Sequence, residues 1–203
     1  MKLLDIKKLK YLLFLYRYET PYITNIRCSL DKVENGINVA MDGEDELMAT
    51  VLHHELIFCT DESIKVVGNL DHLFENFFSL QAVDGLRTWY VSNVKSISHL
   101  FYRCRNLTDI SGLQSWNTSN IERMDSTFMG CEKLSDISPL QGWNTEKVED
   151  AYFMFAYCSS IQNKEVVERW GFPKMTFPQN HLMFPPEDPF VKIYLNSGET
   201  DCE

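Results

Sequence analysis

The chain offers one cluster of residue types suited to metal or acid–base chemistry, His53-His54-Glu55. Two imidazoles and a carboxylate are the ligands of many zinc sites. A zincin needs His-Glu-x-x-His, which projects both imidazoles from one helix face, whereas adjacent histidines point apart. A metal-dependent enzyme using the His53–Glu55 region is therefore a remote alternative, set against a solvated or half-buried pair. His72, His99 and His181 have no partners at matching spacing. Asp109 and Asp136 sit 27 residues apart and could stand close together, as the paired carboxylates of hydrolases do. The plainer reading is that they decorate a solvent-facing segment or accept bonds from turn amides. There is no Gly-x-Ser-x-Gly elbow, and the nine glycines form no phosphate-cradling loop. No catalytic residue, metal or cofactor is expected.

The interval separating those aspartates runs through the chain. Trp89, Trp116, Trp143 and Trp170 are each 27 residues apart, as are Val67, Val94, Ile121 and Val148. Phe74, Phe101, Phe128 and Phe155 keep the same register, and so do Leu80, Leu107, Leu134 and Ile161. Cys104, Cys131 and Cys158 occupy one slot of successive repeats, which predicts a ladder of small buried thiols rather than disulfides. Cys28, Cys59 and Cys202 form no CxxC pair. The tryptophans are expected to be packing anchors, with a surface aromatic ladder as the alternative.

Within a unit, Ile121, Met124, Phe128 and Cys131 fall at i, i+3, i+7 and i+10, the stripe of an amphipathic helix. Ser119 and Glu122 fit a capping box in front of it. Leu107–Ile110 and Leu134–Ile137 read as short strands. The strings DISGLQSWNTSNIERMDSTFMGCEKL and DISPLQGWNTEKVEDAYFMFAYCSSI resemble the BspA-type leucine-rich repeat, a unit found in many copies in mycoplasma lipoproteins. Residues 89–161 carry the likeness well. Val67–Leu86 carries it weakly, because Phe77 stands at the Cys slot. The fold expected is α/β: a short leucine-rich-repeat-like solenoid, with one helix and one short strand per 27-residue repeat and a mixed α/β N-terminal cap. The resemblance implies a surface adhesin that binds a host protein.

The expected organisation is an N-terminal cap over 1–66, three to four repeats over 67–161, and a C-terminal cap with a partly disordered acidic tail over 162–203. Residues 2–17 read as a helix with Leu3, Leu4, Ile6, Leu9, Leu12 and Leu13 inward. Ile23–Leu30 and Ile37–Met41 read as strands around the Asn35-Gly36 turn, and Glu46–Phe58 as strand or helix. A short final helix is expected over Lys164–Trp170, followed by an irregular Pro173–Pro189 stretch and a closing strand at Phe190–Leu195.

A formal charge of −10, from 19 basic and 29 acidic residues, argues against direct nucleic-acid binding. The apolar run Tyr11–Tyr16 is too short for a membrane span and lacks a cleavage site, so a cytoplasmic location, in a bacterium or an infected host cell, is expected. Enzymes need convergent polar groups, and the regular positions here are apolar. The function expected is a non-enzymatic protein-binding module, an intracellular inhibitor or adaptor, such as a phage or mobile-element product blocking a host defence protein. The alternative is a leaderless relative of the BspA-type adhesins. Its partner would be another protein, with a basic surface if charge matters. The contacts are expected from Gln81, Thr108, Asp109, Ser111, Ser135, Asp136 and Ser138, the small polar residues between apolar positions.

Overall fold

Strand β1 (Lys2–Asp5) ends at a residue that also starts the first helix: the Asp5 carboxylate accepts the Lys7 amide at 2.8 Å and caps α1 (Ile6–Leu15). The computed structural model describes residues 1–29, 36–44, 46–60, 62–168 and 170–171. Ile6, Leu9, Leu12 and Leu13 form the buried stripe of α1, as expected, while Leu4 is buried from the strand.

Two sheets follow. β1 pairs in parallel with β6 (Ile64–Val67), which pairs in parallel with β7 (Trp89–Tyr90). The second sheet holds β2 (Asn25–Ser29), β3 (Ile37–Asn38), β4 (Met48–Leu52) and β5 (Glu55–Cys59) in the order β2-β5-β4-β3. β2 and β3 thus lie at opposite edges and do not form the hairpin expected around Asn35-Gly36. The tight hairpin is β4–β5, with Leu52 opposite Glu55. Its two turn residues are His53 and His54, at φ 49° and 64°. Positive φ at both central positions matches the right-handed twist of the flanking strands.

The repeats stack, but not as the helix-and-strand units expected. Among the described residues the only helices are α1 and α2 (Glu165–Glu168), and neither recurs with the repeat. The solenoid with one helix per repeat is overturned. Two residues per unit adopt the left-handed conformation: His72, His99, Ser126 and Phe153 at φ 54–58°, then Asn76, Arg103, Gly130 and Tyr157 at φ 60–78°. An α-helix cannot pass through such residues. Their backbone bonds also leave the unit. Leu70, His72, Phe74 and Asn76 donate to the carbonyls of Ser96, Ser98, Leu100 and Tyr102 at 2.8–3.0 Å. Ile97, His99, Phe101 and Arg103 donate likewise to Arg123, Asp125, Thr127 and Met129, and the ladder continues from Met124, Ser126, Phe128 and Gly130. The intervening amides close four-residue turns, as Leu100 does onto Ile97 and Cys104 onto Phe101. Such turns also return inward every three or four residues, so Val94, Ile97, Phe101 and Cys104 are all buried without a helix. The Ser119–Glu122 capping box is absent too: the Glu122 amide donates to the Lys95 carbonyl.

The expected strand segments reduce to isolated parallel bridges, Asn25–Ala82 and Ala82–Asp109, followed by short 3-10 turns at Asp84–Thr88, Ser111–Leu113 and Ser138–Leu140. Through Asn25 this column is continuous with β2. The stacking is close. A Cβ on Gly112 would lie 2.0 Å from the Val83 oxygen, and one on Gly85 2.5 Å from the Arg27 Cα. The third unit carries Pro139 at that position, and among the described residues no bridge joins Asp109 to Asp136.

Identical side chains form the core columns. Phe74, Phe101, Phe128 and Phe155 stack at centroid spacings of 5.5–5.7 Å, and Trp116, Trp143 and Trp170 at 6.1–6.3 Å. Burying each such ring contributes about 1.5–3 kcal/mol, with roughly 0.5–1.5 kcal/mol more from each ring pair. The thiols of Cys104, Cys131 and Cys158 donate to the carbonyls of Phe74, Phe101 and Phe128 one unit earlier. The Trp116 and Trp143 indoles donate to Leu86 and Leu113 at 3.0 and 3.2 Å. The tryptophans are therefore interior anchors. Trp89, in the first unit, has no preceding unit to offer that carbonyl, and its buried Nε1 is unpartnered. The weakly matching first unit keeps both left-handed positions and the ladder, with Phe77 edge-on to Phe74 in place of the thiol.

The observed α2 falls within the expected Lys164–Trp170 helix. The Pro173–Pro189 stretch, the Phe190–Leu195 strand and the acidic tail lie outside the described residues.

Candidate functional site

The seven small polar residues singled out by sequence lie along the bridged column and its 3-10 turns. Ser135 is half-buried and the other six are exposed. Much of their hydrogen-bonding capacity is spent inside the molecule. Asp109 accepts the Ser111 amide at 2.8 Å, and Asp136 accepts the Ser138 amide at 2.8 Å and its hydroxyl at 3.0 Å. Asn163 donates to Asp136 at 2.6 Å, and Thr108 Oγ1 to the Gln81 carbonyl at 3.2 Å. These are turn-forming aspartates. The Ser138 amide, more than any other group, holds the Asp136 carboxyl below its usual range, the opposite of what a general acid requires.

His53 and His54 are exposed turn residues, as their positive φ demands, and Glu55 is committed elsewhere. Its carboxylate pairs with Arg27 at 2.7 Å across the parallel β2–β5 ladder and accepts from Asn25 at 3.4 Å. Among the described residues, no group of three His, Cys, Asp or Glu side chains has metal-holding geometry.

A titratable cluster around His72 and His99 lies on the turn column of the first three units. Their rings stack at 4.6 Å. His72 Nδ1 meets Glu75 at 2.5 Å, and His99 Nδ1 lies 3.5 Å from Asp125. Burial, with the neighbouring His72 second, pushes the His99 pKa down, while Asp125, Glu75 and Asp71 oppose the shift. The Ser96 hydroxyl donates to Asp71 and the Ser98 hydroxyl to Asp125. Both hydroxyls thus bond carboxylates rather than either imidazole.

α1 and the segment after it expose several large apolar side chains. Tyr11, Phe14 and Leu15 are 58%, 59% and 45% exposed, and Tyr18 and Tyr22 are 77% and 60%. They account for five of the eleven large exposed hydrophobics among the described residues. Arg17 lies over the rings of Phe14 and Tyr18 at 4.8 and 4.6 Å. Tyr, Phe and Arg are the side chains enriched in protein interfaces. The sequence reading missed this face by treating Tyr11–Tyr16 as one apolar run. The signal was available, because a helix with Leu9, Leu12 and Leu13 inward must turn Tyr11, Phe14 and Leu15 outward. No helix among the described residues is long and apolar enough to cross a membrane.

Neither the curated proteins nor the solved structures include a match to the chain. A family does match, over residues 68–190, and it is related to the BspA-like mycoplasma repeat proteins that the repeat strings resemble. That match covers more than half of the 203 residues, so the chain belongs to the family described as Mycoplasma protein of unknown function, DUF285.

Proposed function

We propose that the protein is a non-enzymatic protein-binding module, an inhibitor or adaptor, whose contact surface is the aromatic face of α1 and the turn after it. The observation that carries this reading is the exposure of Tyr11, Phe14, Leu15 and Tyr18, where large apolar side chains stay in solvent beside a well-filled core. The polar side chains of the repeats support it from the other side. The aspartates and serines that could have formed a catalytic constellation bond one another and the backbone. Binding energy in protein interfaces concentrates in a few aromatic and Arg anchors, which is the composition found here.

The test is affinity capture from the native host with the wild-type chain and with Tyr11→Ser/Phe14→Ser. A partner retained by wild type and lost by the variant supports the reading. A partner held equally by both places the surface elsewhere and refutes it. The family relation to BspA-like proteins favours a second reading, a surface protein that binds a host protein. Protease shaving of intact cells distinguishes the two, because only a surface protein is cut.

A further inference from the structure

We infer that the stacked imidazoles of His72 and His99 form a binding site for a divalent transition-metal ion of the kind imidazole prefers, Zn²⁺ or Cu²⁺, held by one Nε2 from each ring. The site goes beyond the protein-binding reading and does not depend on which surface meets a partner.

The rings come together because the units stack. His72 and His99 fill the same slot of successive units, and both are left-handed at φ 58°. Equivalent backbones send the two side chains the same way, and the rings lie 20° from parallel with centroids 4.6 Å apart. Ser126 and Phe153 take the slot in the next two units, so the imidazoles form a pair and not a longer column. Stacking thereby brings together what His-Glu-x-x-His brings together along a helix, and what adjacent residues such as His53 and His54 do not.

The ring nitrogens fall into two kinds. His72 Nδ1 meets the Glu75 carboxylate at 2.5 Å. His99 Nδ1 is buried without a hydrogen-bond partner and faces Asp125 at 3.5 Å. Among the described residues no protein group bonds either Nε2, which leaves it the accessible nitrogen of each ring. Metal-ligating histidines share this pattern: one nitrogen turned to a carboxylate, which fixes the tautomer and makes the other a better ligand. A cation on Nε2 strengthens Nδ1–H as a donor and draws the unpartnered His99 Nδ1 onto Asp125.

Zinc–nitrogen bonds of about 2.0–2.1 Å in a tetrahedral shell set two nitrogens about 3.3 Å apart. The 4.6 Å stack is wider by about 1 Å, a gap that exposed His72 can close by tilting. Charge favours a cation there. Asp71, Glu75 and Asp125 lie around the pair, against Arg123 on Asp125 at 3.3 Å and Lys10 on the Asp71 carbonyl at 2.8 Å. Burial pushes the His99 pKa down, which keeps its ring in the neutral form that ligates. Among the described residues no third His, Cys, Asp or Glu has ligating geometry, so water supplies the remaining ligands and binding is weaker than at a structural zinc.

Isothermal titration calorimetry of the full chain with ZnCl2, at about pH 7.5 and across about 1–200 µM, tests the site. One bound equivalent is expected. His72→Asn and His99→Asn keep a residue tolerant of positive φ, and each is expected to abolish that equivalent with an unchanged circular dichroism spectrum. Glu75→Gln keeps both ligands and is expected to weaken binding about tenfold. His53→Asn/His54→Gly and Cys28→Ser are expected to bind like wild type. With Cu²⁺ as the probe, electron paramagnetic resonance of the wild-type chain is expected to show coupling to two imidazole nitrogens. A wild-type chain that binds no equivalent up to about 200 µM overturns the inference, as does an equivalent that survives His72→Asn or His99→Asn. An equivalent lost in His53→Asn/His54→Gly or Cys28→Ser places the ion elsewhere and also overturns it. The copper spectrum decides the matter even if a histidine variant fails to fold, because coupling to fewer than two imidazole nitrogens refutes the pair.

Discussion

Gly112→Ala is the sharpest test of how the units stack. The new methyl would sit 2.0 Å from the Val83 carbonyl oxygen in the preceding unit, against a closest ordinary C···O approach of about 3.3 Å. The two backbones must separate by more than about 1 Å at a point where neither has a side chain to move. Three backbone bonds cross that seam: Val83 to the Asp109 carbonyl at 3.2 Å, and Thr108 and Asp109 to the Gln81 carbonyl at 3.0 Å. Overpacking costs about 1–3 kcal/mol, and each bond placed at risk about 1 kcal/mol. Reduced freedom of the unfolded chain returns about 0.4–1 kcal/mol. The net loss expected is about 3 kcal/mol, or a Tm lower by roughly 6–12 °C for a chain of this size. Urea titration and thermal melts read the change, with Gly142→Ala as control, because a Cβ there meets nothing within 4 Å. A Gly112→Ala protein as stable as wild type would refute the close approach and the stacking geometry derived from it.

Other expectations follow from the titratable and turn residues. His99 has its folded pKa lowered from about 6.5, so the unfolded chain binds more protons between the two values. Its contribution is therefore complete above about pH 6.5 and lost as pH falls. His99→Asn, which keeps a residue tolerant of φ 58°, should flatten the fall in urea midpoint between about pH 7.5 and pH 5.5. An unchanged slope would assign the dependence to other groups. Burial pushes the Cys104 and Cys131 thiols well up, so neither should react with a maleimide at neutral pH until the protein unfolds. Peptide mapping that finds either labelled as fast as half-buried Cys28 would contradict the buried column. His53→Asn/His54→Gly should raise stability by about 0.5–1 kcal/mol, since those residues favour a turn with two positive φ values. A loss of stability would mean the imidazoles do more than turn the chain.

The periodicity of Trp, Phe and Cys determined by itself that the units repeat, which side chains are interior, and that the thiols form a column. The inward stripe of α1 and the final short helix were legible for the same reason: burial is written in apolar spacing. The function reading from exposed polar residues was weaker, because sequence cannot say whether Asp109 or Asp136 faces a partner or its own turn. The same blindness left His72 and His99 unconnected, although stacking one unit on the next brings their rings to 4.6 Å. Tertiary structure alone decided the backbone path. A helix and a chain of tight i→i−3 turns return apolar side chains inward at nearly the same interval, so Ile121, Met124, Phe128 and Cys131 fit both. The choice is made by where the amides go. Once His99, Phe101 and Arg103 donate to the next unit and His99 and Arg103 turn left-handed, the helix is lost and the ladder between units takes its place.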